Sequence, residues 1–137
     1  MNSTIILKGN ILYTPNPSAL VSIQQGYVIA VDGVVVHCGE SIPPAYAECE
    51  VTDYGDNLII PGFVDTHAHA PQYCNRGLGM DKELLPWLET YTFPEEAKFS
   101  DQDYARLVYG AFVHDLWRNG TTRSILFGTI HKDSTLV

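Results

Sequence analysis

The sequence predicts an α/β fold, in which a small N-terminal β-layer is followed by parallel strands that alternate with helices. Residues 1–60 contain short β-branched runs separated by Gly, Pro, Asn and Asp, a pattern typical of strands and turns, and we assign them to a β-sandwich-like segment. Residues 61–137 show the pattern of a strand, a helix and a second strand. That order favours a parallel sheet, because parallel strands need a crossover connection.

The clearest element of the β-layer is a predicted hairpin. Two β-branched runs in QQGYVIAVDGVVVHCGE, residues 24–40, flank the dipeptide Asp32-Gly33, which is favoured in a type I′ turn. Further along, a Gly-Asp-Asn turn at residues 55–57 precedes the apolar strand LIIPGFV at residues 58–64. No residue of this layer suggests chemistry of its own.

Two helices are predicted after the first apolar strand. DKELLPWLETYT, residues 81–92, predicts a short helix that Pro86 can interrupt. A longer helix is predicted to begin at Ser100, with Asp103 completing a capping box, and to end at Asn119-Gly120. Its buried face is predicted from apolar side chains at helical spacing: Tyr104, Leu107, Val108, Ala111, Phe112 and Leu116.

The run SILFGTI, residues 124–130, predicts a second buried strand and completes a βαβ unit. A closed eight-fold barrel of such units needs at least about 200 residues, and residues 61–137 are far fewer. Two interpretations remain open from these patterns. The segment is either a small open α/β domain or the truncated beginning of a (β/α)8 TIM-type barrel.

Composition excludes several classes of partner. The net charge of −8 offers no basic surface for a nucleic acid. No apolar run approaches the roughly 20 residues that span a membrane, and the N-terminus lacks the pattern of a signal peptide. Cys38, Cys49 and Cys74 form no CxxC pair, which favours a reducing, cytoplasmic location.

The stretch PGFVDTHAHAPQ, residues 61–72, contains the main candidate for chemistry. Residues i and i+2 of a strand lie on the same face, so His67 and His69 are expected to converge. Two imidazoles so placed can bind Zn²⁺ with bonds of about 2.0–2.1 Å. Asp65 shares this face and can orient a ring or a nearby loop. An HxH pair alone is weak support, since two histidines at a strand end are more often bonded to water or backbone.

The flanking residues carry a more specific signal. LIIPGFVDTHAH, residues 58–69, resembles the first-strand motif of the metal-dependent amidohydrolase superfamily. Four further segments are similar to the guanine deaminases of that superfamily: HAPQY at 69–73, NRGLGMDKELLPWLETYTFPEEAKFSD at 75–101, NGTTRS at 119–124 and TIHKDSTL at 129–136. The resemblance covers most of the chain and is most specific over residues 61–101.

The resemblance implies a site and a reaction. His67 and His69 are expected to bind a catalytic Zn²⁺, and Gln72 is expected to contact guanine. The turn from His69 through Ala70 and Pro71 is expected to line the substrate site. The implied reaction is hydrolytic deamination of guanine to xanthine and ammonia, by an enzyme that can be a homodimer. The family's general acid/base and remaining metal ligands are expected beyond residue 137, so this chain alone is expected to be inactive.

Other candidate residues receive more ordinary interpretations. His131 follows a strand and can reach a barrel mouth, but a loop role is favoured over metal binding. Trp87 and Phe93 can cover a flat purine, although aromatic residues beside leucines are more often core. Arg76 can attract an anion or pair with Asp81, but a solvated loop charge is favoured. Cys74 is expected to be a passive small residue. His114 is expected on the helix surface, and the Glu95-Glu96 pair is expected to be solvated.

Three functions are consistent with these patterns. The first is the N-terminal part of a zinc-dependent guanine deaminase. The second is another amidohydrolase acting on a cyclic amidine or a related aminohydrolase substrate, which Gln72 and the segment at 75–101 would distinguish from the first. The third is a non-catalytic, truncated isoform that binds metal weakly or pairs with full-length subunits.

Overall fold

The computed structural model describes residues 3–137, which form two compact units of strands and helices. The first unit ends at Pro61, and the second is Gly62–Val137. The predicted α/β class is confirmed, because the first unit is a β-sheet and the second alternates strands with helices. Among residues 3–137, no helix combines the length and the apolar character needed to cross a membrane.

The first unit is a four-stranded sheet. Its strands are β1 (Thr4–Asn16), β2 (Ala19–Val31), β3 (Val34–Gly39) and β4 (Val51–Ile59), in the order β3-β2-β1-β4. β1, β2 and β3 pair antiparallel, whereas β4 pairs parallel with β1. This order makes β1 and β2 the central strands of the sheet, and their isoleucines form its buried part: Ile6, Ile11 and Ile29.

The predicted hairpin turn is confirmed, whereas the predicted turn at residues 55–57 is not a chain reversal. Asp32 and Gly33 have φ angles of 50° and 80°, as a type I′ turn requires. Gly55, with φ 58°, lies inside β4, where the pairing with β1 shifts register. The side-chain amide of Gln25 donates to the Gly55 carbonyl at 2.9 Å, so residues there form a bulge held within the sheet.

The second unit contains the predicted βαβ arrangement. β5 (Phe63–His69) and β6 (Thr121–Phe127) are parallel neighbours, connected through the long helix α3 (Gln102–Arg118). The predicted burial of the two strands is wrong for the described residues. Phe63 and Ile125 are 57% and 60% exposed, because helices of residues 3–137 cover this two-stranded sheet only in part.

The short predicted helix is longer than expected and continuous. α1 (Leu84–Trp87) passes into a π-helical turn (Leu88–Thr92) and then into α2 (Phe93–Ala97). Pro86 does not interrupt it, because a proline in the first turn removes an N–H that has no intrahelical acceptor. The π-helical turn lies just before Pro94, whose missing N–H disfavours the regular α-helical bonding pattern there.

The cap of α3 differs from the prediction, while its end agrees. Asp101, not Ser100, is the N-cap, and its carboxylate accepts from two N–H groups of the first turn at 2.9 and 3.3 Å. Ser100 lies in a 3₁₀ turn, and its hydroxyl donates to the Ala97 carbonyl at 3.1 Å instead. The helix ends at Asn119-Gly120 as predicted, with Gly120 at φ 80°.

The buried face of α3 is rotated slightly from the predicted one. Val108 and Phe112 are buried as predicted. Leu107 is 71% exposed and Ala111 is also exposed, so both were assigned wrongly. Ala105, which is fully buried, was missed. The buried stripe therefore follows positions 105, 108 and 112, which lie on one face of the helix.

Candidate metal and substrate site

The candidate site lies at the carboxyl ends of the two parallel strands. β5 ends at His69 and β6 ends at Phe127, and these two residues are partners in the strand register. Ligand sites of α/β sheets commonly lie at this edge, because the chain leaves each strand there in a loop. A 3₁₀ turn, Ala70–Asn75, follows β5 directly and forms one wall of the site.

His67 and His69 converge. Their Nε2 atoms are 3.2 Å apart, and their ring centroids are 5.0 Å apart. Two nitrogens separated by this distance and each about 2.0–2.1 Å from one ion would subtend roughly 100° at that ion, which is close to tetrahedral geometry. In one pair of tautomers the same approach is an N–H···N hydrogen bond. The pair therefore fits two positions of a zinc shell.

Phe127 packs against both histidines, a contact that no sequence pattern predicts. Its ring stacks on His69 with centroids 4.6 Å apart and planes 10° apart, and its centroid is 4.8 Å from that of His67. The aromatic contact restricts the rotamers of both imidazoles. Only the parallel register of β5 and β6 places Phe127 here, so the sequence alone gave no signal for it.

Of the two roles predicted for Asp65, orienting a ring or a nearby loop, the structure shows no bond to an imidazole ring but a bond to local backbone. Its Oδ1 accepts from the backbone N–H of His67 at 3.0 Å, an Asx-type bond that a short carboxylate side chain makes readily. The strand pairing is irregular between Asp65 and Ala68. This bond therefore fixes the backbone at the point where β5 departs from regular pairing.

Residues 3–137 contain no group of three or more His, Cys, Asp or Glu side chains placed to hold a metal. His131 is the N-cap of the short helix α4 (Lys132–Thr135), and its carbonyl accepts from the N–H groups of the first turn. Within the described residues its buried Nε2 has no hydrogen-bond partner. His131 thus lies at the start of α4, and the described residues bring His67 and His69 together as a candidate pair without a third partner.

The histidine pair opens onto a pocket of about 420 Å³. Side chains from the 3₁₀ turn, from α1 and from α3 line it, among them Gln72, Tyr73, Asn75, Trp87 and Asp115. The pocket therefore brings His69 and Gln72 together. Ala70 and Pro71, which were also predicted to line the site, are buried within the turn and do not line this pocket.

Asn75 places a buried amide at this pocket. The residue is 3% exposed, and its Nδ2 lies 3.4 Å from the hydroxyl oxygen of Thr92. Its Oδ1 has no hydrogen-bond partner among residues 3–137. Asn75 is the last residue of the turn that contains Gln72, so this turn contributes two amide side chains to the pocket lining.

Trp87 forms another wall of the pocket, whereas Phe93 is 56% exposed and does not line it. The Trp87 indole N–H donates to the Leu78 carbonyl at 2.8 Å, which fixes the ring. Gly79, at φ 65°, allows the close packing, because a Cβ there would lie 3.0 Å from Trp87 Cδ1. A flat, fixed indole suits a planar ligand.

Asp115 connects α3 to the turn. Its Oδ2 accepts from the Tyr73 hydroxyl at 2.5 Å and from the Arg76 guanidinium at 3.3 Å. The Arg76 Cζ also lies 3.8 Å from the centroid of the Tyr73 ring. The hydrogen bond from Tyr73 holds the pKa of the Asp115 carboxyl below its usual value. Arg76 therefore pairs with Asp115 and not with Asp81, while its side chain stays 62% exposed, which agrees with the predicted solvated loop charge.

Glu95, in α2, is buried, which contradicts its predicted solvation. Its carboxylate accepts from the Tyr104 hydroxyl and from Lys98 Nζ, the latter at 2.5 Å. Burial raises the pKa of Glu95, but these two hydrogen bonds outweigh it and hold that pKa below its usual value. Cys74 is exposed, with its Sγ 3.7 Å from the Tyr104 hydroxyl.

Comparison with known proteins gives consistent matches. The sequence profile described as "Amidohydrolase family" matches residues 58–135. The guanine deaminase of Dictyostelium discoideum is 53% identical over 85 residues, which are 62% of this chain and 19% of that protein. The guanine deaminase of Escherichia coli (strain K12) is 42% identical over 123 residues, covering 85% of this chain and 27% of that protein.

A solved structure matches the fold of nearly the whole chain. The guanine deaminase from C. acetobutylicum, with guanine bound in its active site, has a TM-score of 0.86 and 48% sequence identity. The alignment covers 98% of this chain and 32% of that one. The chain thus spans between about a fifth and a third of the length of the proteins it matches.

Proposed function

The chain belongs to the amidohydrolase family, and we propose on this basis that it forms the metal- and purine-binding beginning of a zinc-dependent guanine deaminase. In this proposal β5 and β6 are the first two strands of a (β/α)8 barrel. One observation carries it: the converging Nε2 atoms of His67 and His69 open onto the same pocket as Gln72. The activity is proposed for the whole enzyme, of which this chain supplies part of the site.

The histidines would hold the metal through their Nε2 atoms. Each would be neutral with its proton on Nδ1, because the lone pair of Nε2 must face the ion. When bound there, zinc supplies Lewis acidity that activates water for attack at neutral pH. Residues 3–137 place no third ligand at this site, and catalytic zinc commonly has three protein ligands.

Gln72 would recognise the substrate. Its amide both donates and accepts hydrogen bonds, so it can match a guanine edge on which N–H groups alternate with acceptor atoms. Trp87, which lines the same pocket, would face the purine plane. In the overall reaction one water adds its oxygen to the purine carbon and the exocyclic nitrogen leaves as ammonia, which gives xanthine.

A hybrid enzyme tests this function. Residues 1–137 would replace the matched third of the C. acetobutylicum guanine deaminase, whose aligned part is 48% identical. We expect the hybrid to bind zinc and to convert guanine to xanthine, followed by ultraviolet absorbance. A hybrid that folds cooperatively, contains zinc and leaves guanine unchanged would contradict the proposal. Turnover of a different cyclic amidine by that hybrid would favour another amidohydrolase activity.

Two further features of the proposal concern location and assembly. Cys38, Cys49 and Cys74 are all free thiols, which suits a reducing compartment such as the cytoplasm. The resemblance to guanine deaminases implies a homodimer, and light scattering on the purified hybrid would measure its mass.

A further inference from the structure

One carboxylate of α3, that of Asp115, accepts two hydrogen bonds from the end of the turn that contains Gln72. Tyr73 and Arg76 flank the end of the turn, and both donate to the same oxygen of Asp115, at 2.5 and 3.3 Å. Asp115 is 42 residues from Tyr73 in sequence, so this contact is tertiary. It joins the crossover helix to the loop that follows the metal-binding strand.

The geometry of this cluster restrains the turn in more than one direction. The Arg76 guanidinium lies over the Tyr73 ring at 3.8 Å while it also contacts Asp115. Tyr73 packs edge-on against Phe112, one helical turn before Asp115, with centroids 5.7 Å apart. The ring, the hydroxyl and the guanidinium are thus all held against α3, and hydrogen bonds to an ionised carboxylate are the stronger kind.

Gln72 itself is not held in this way. Among residues 3–137 its side-chain amide makes no hydrogen bond, although it lines the pocket beside His69. Its position therefore depends on the backbone of the turn, which Pro71 anchors on one side and Tyr73 on the other. A side-chain amide that makes no hydrogen bond within the protein is positioned for a ligand only if the backbone that carries it is fixed.

We propose that Asp115 is a positioning residue that fixes the Gln72 amide for the substrate by holding Tyr73 and Arg76. This inference rests on the proposed function for the identity of the substrate, but the anchoring of the turn is independent of it. In the described residues the Asp115 carboxylate accepts hydrogen bonds from Tyr73 and Arg76 and from neither histidine, so its loss is expected to affect substrate orientation more than metal binding.

The anchoring is tested without substrate. Hydrogen exchange would be measured on the 137-residue chain and on the hybrid enzyme, for wild type, Asp115→Asn and Tyr73→Phe. We expect exchange of the amides at residues 72–76 to accelerate on the order of tenfold in both variants. Asp103→Asn is the matched control, because that carboxylate is exposed on the same helix and pairs only with Arg106. Unchanged exchange in the turn with Asp115→Asn would overturn the inference.

The consequence for the site is tested by steady-state kinetics on the hybrid enzyme. Asp115→Asn and Tyr73→Phe are expected to raise KM for guanine roughly three- to tenfold, with kcat within about twofold and zinc content unchanged. The double variant should lose no more than the stronger single variant, since both break one contact. A fall in kcat together with zinc loss would overturn the positioning role. If the unsubstituted hybrid has no guanine activity, the proposed function fails, and the exchange result still decides the anchoring.

Discussion

His69 and Phe127 stack across the two parallel strands, with ring planes 10° apart and centroids 4.6 Å apart. Each is the last residue of its strand, and the two are register partners. The contact fixes the imidazole whose Nε2 meets that of His67 at 3.2 Å. The parallel pairing of β5 and β6 thus bears directly on the geometry of the candidate metal site.

Replacing Phe127 is expected to loosen this site. Phe127→Ala removes the ring that packs on both histidines, and we expect zinc affinity of the hybrid enzyme to fall on the order of tenfold. Competition with a chelating dye measures it. Phe93→Ala is the matched control, because Phe93 is exposed and outside the pocket. Equal zinc affinity for both variants would show that Phe127 has no role in holding the pair.

Replacing either histidine is expected to have a larger effect. His67→Ala or His69→Ala removes a proposed ligand, so zinc content and guanine turnover in the hybrid enzyme should both be lost. Elemental analysis and absorbance assays on the purified variants measure these. His114→Ala, at an exposed position of α3, is the control and should retain both. Near-normal activity in either pair variant would remove that residue as a ligand.

Gln72→Ala is expected to separate substrate recognition from metal binding. The lost amide leaves the purine without a hydrogen-bonding partner, so kcat/KM for guanine should fall about 10- to 100-fold. Zinc content should stay that of the unsubstituted hybrid. Gln102→Ala, at the start of α3, serves as the control. If zinc is lost along with activity, Gln72 supports the fold or the metal, and its assignment to substrate is wrong.

The hydrogen bonds of Glu95 are expected to make the free energy of unfolding depend on pH. The pKa of Glu95 is held below its usual value in the folded chain. Its ionised carboxylate therefore contributes to the free energy of unfolding at any pH above the unfolded pKa of about 4.3. That contribution is lost as the pH falls through the lower, folded pKa. Glu95→Gln should therefore lower the free energy of unfolding by about 1 kcal/mol at pH 7 and by less at pH 3. Urea unfolding measures this, with Glu96→Gln as control; a difference that grows in acid would contradict the account.

Local patterns in the sequence were sufficient for several elements. Asp32-Gly33 predicts its hairpin because both residues tolerate positive φ. Apolar spacing predicts α3, although Leu107 was placed on its buried face and is exposed. The cap was assigned to Ser100 instead of Asp101, because two adjacent residues of similar capping preference cannot be distinguished without the preceding turn.

The remaining features of the site depend on tertiary pairing. Asp115 meets Tyr73 and Arg76 only because α3 packs over the turn, and no local pattern marks these three residues as a group. Phe127 likewise reaches His69 only through the strand register. His67 and His69 were readable from sequence because two residues of one strand need no long-range contact to share a face.

The most direct test of the account is a crystal structure of the hybrid enzyme grown with zinc and guanine, with the metal located by anomalous scattering at the zinc edge. We expect one zinc ion bound by the Nε2 atoms of both His67 and His69. We also expect guanine in the adjoining pocket, with the Gln72 amide hydrogen-bonded to the purine. Zinc bound away from this pair, or guanine bound without contact to Gln72, would contradict the proposal.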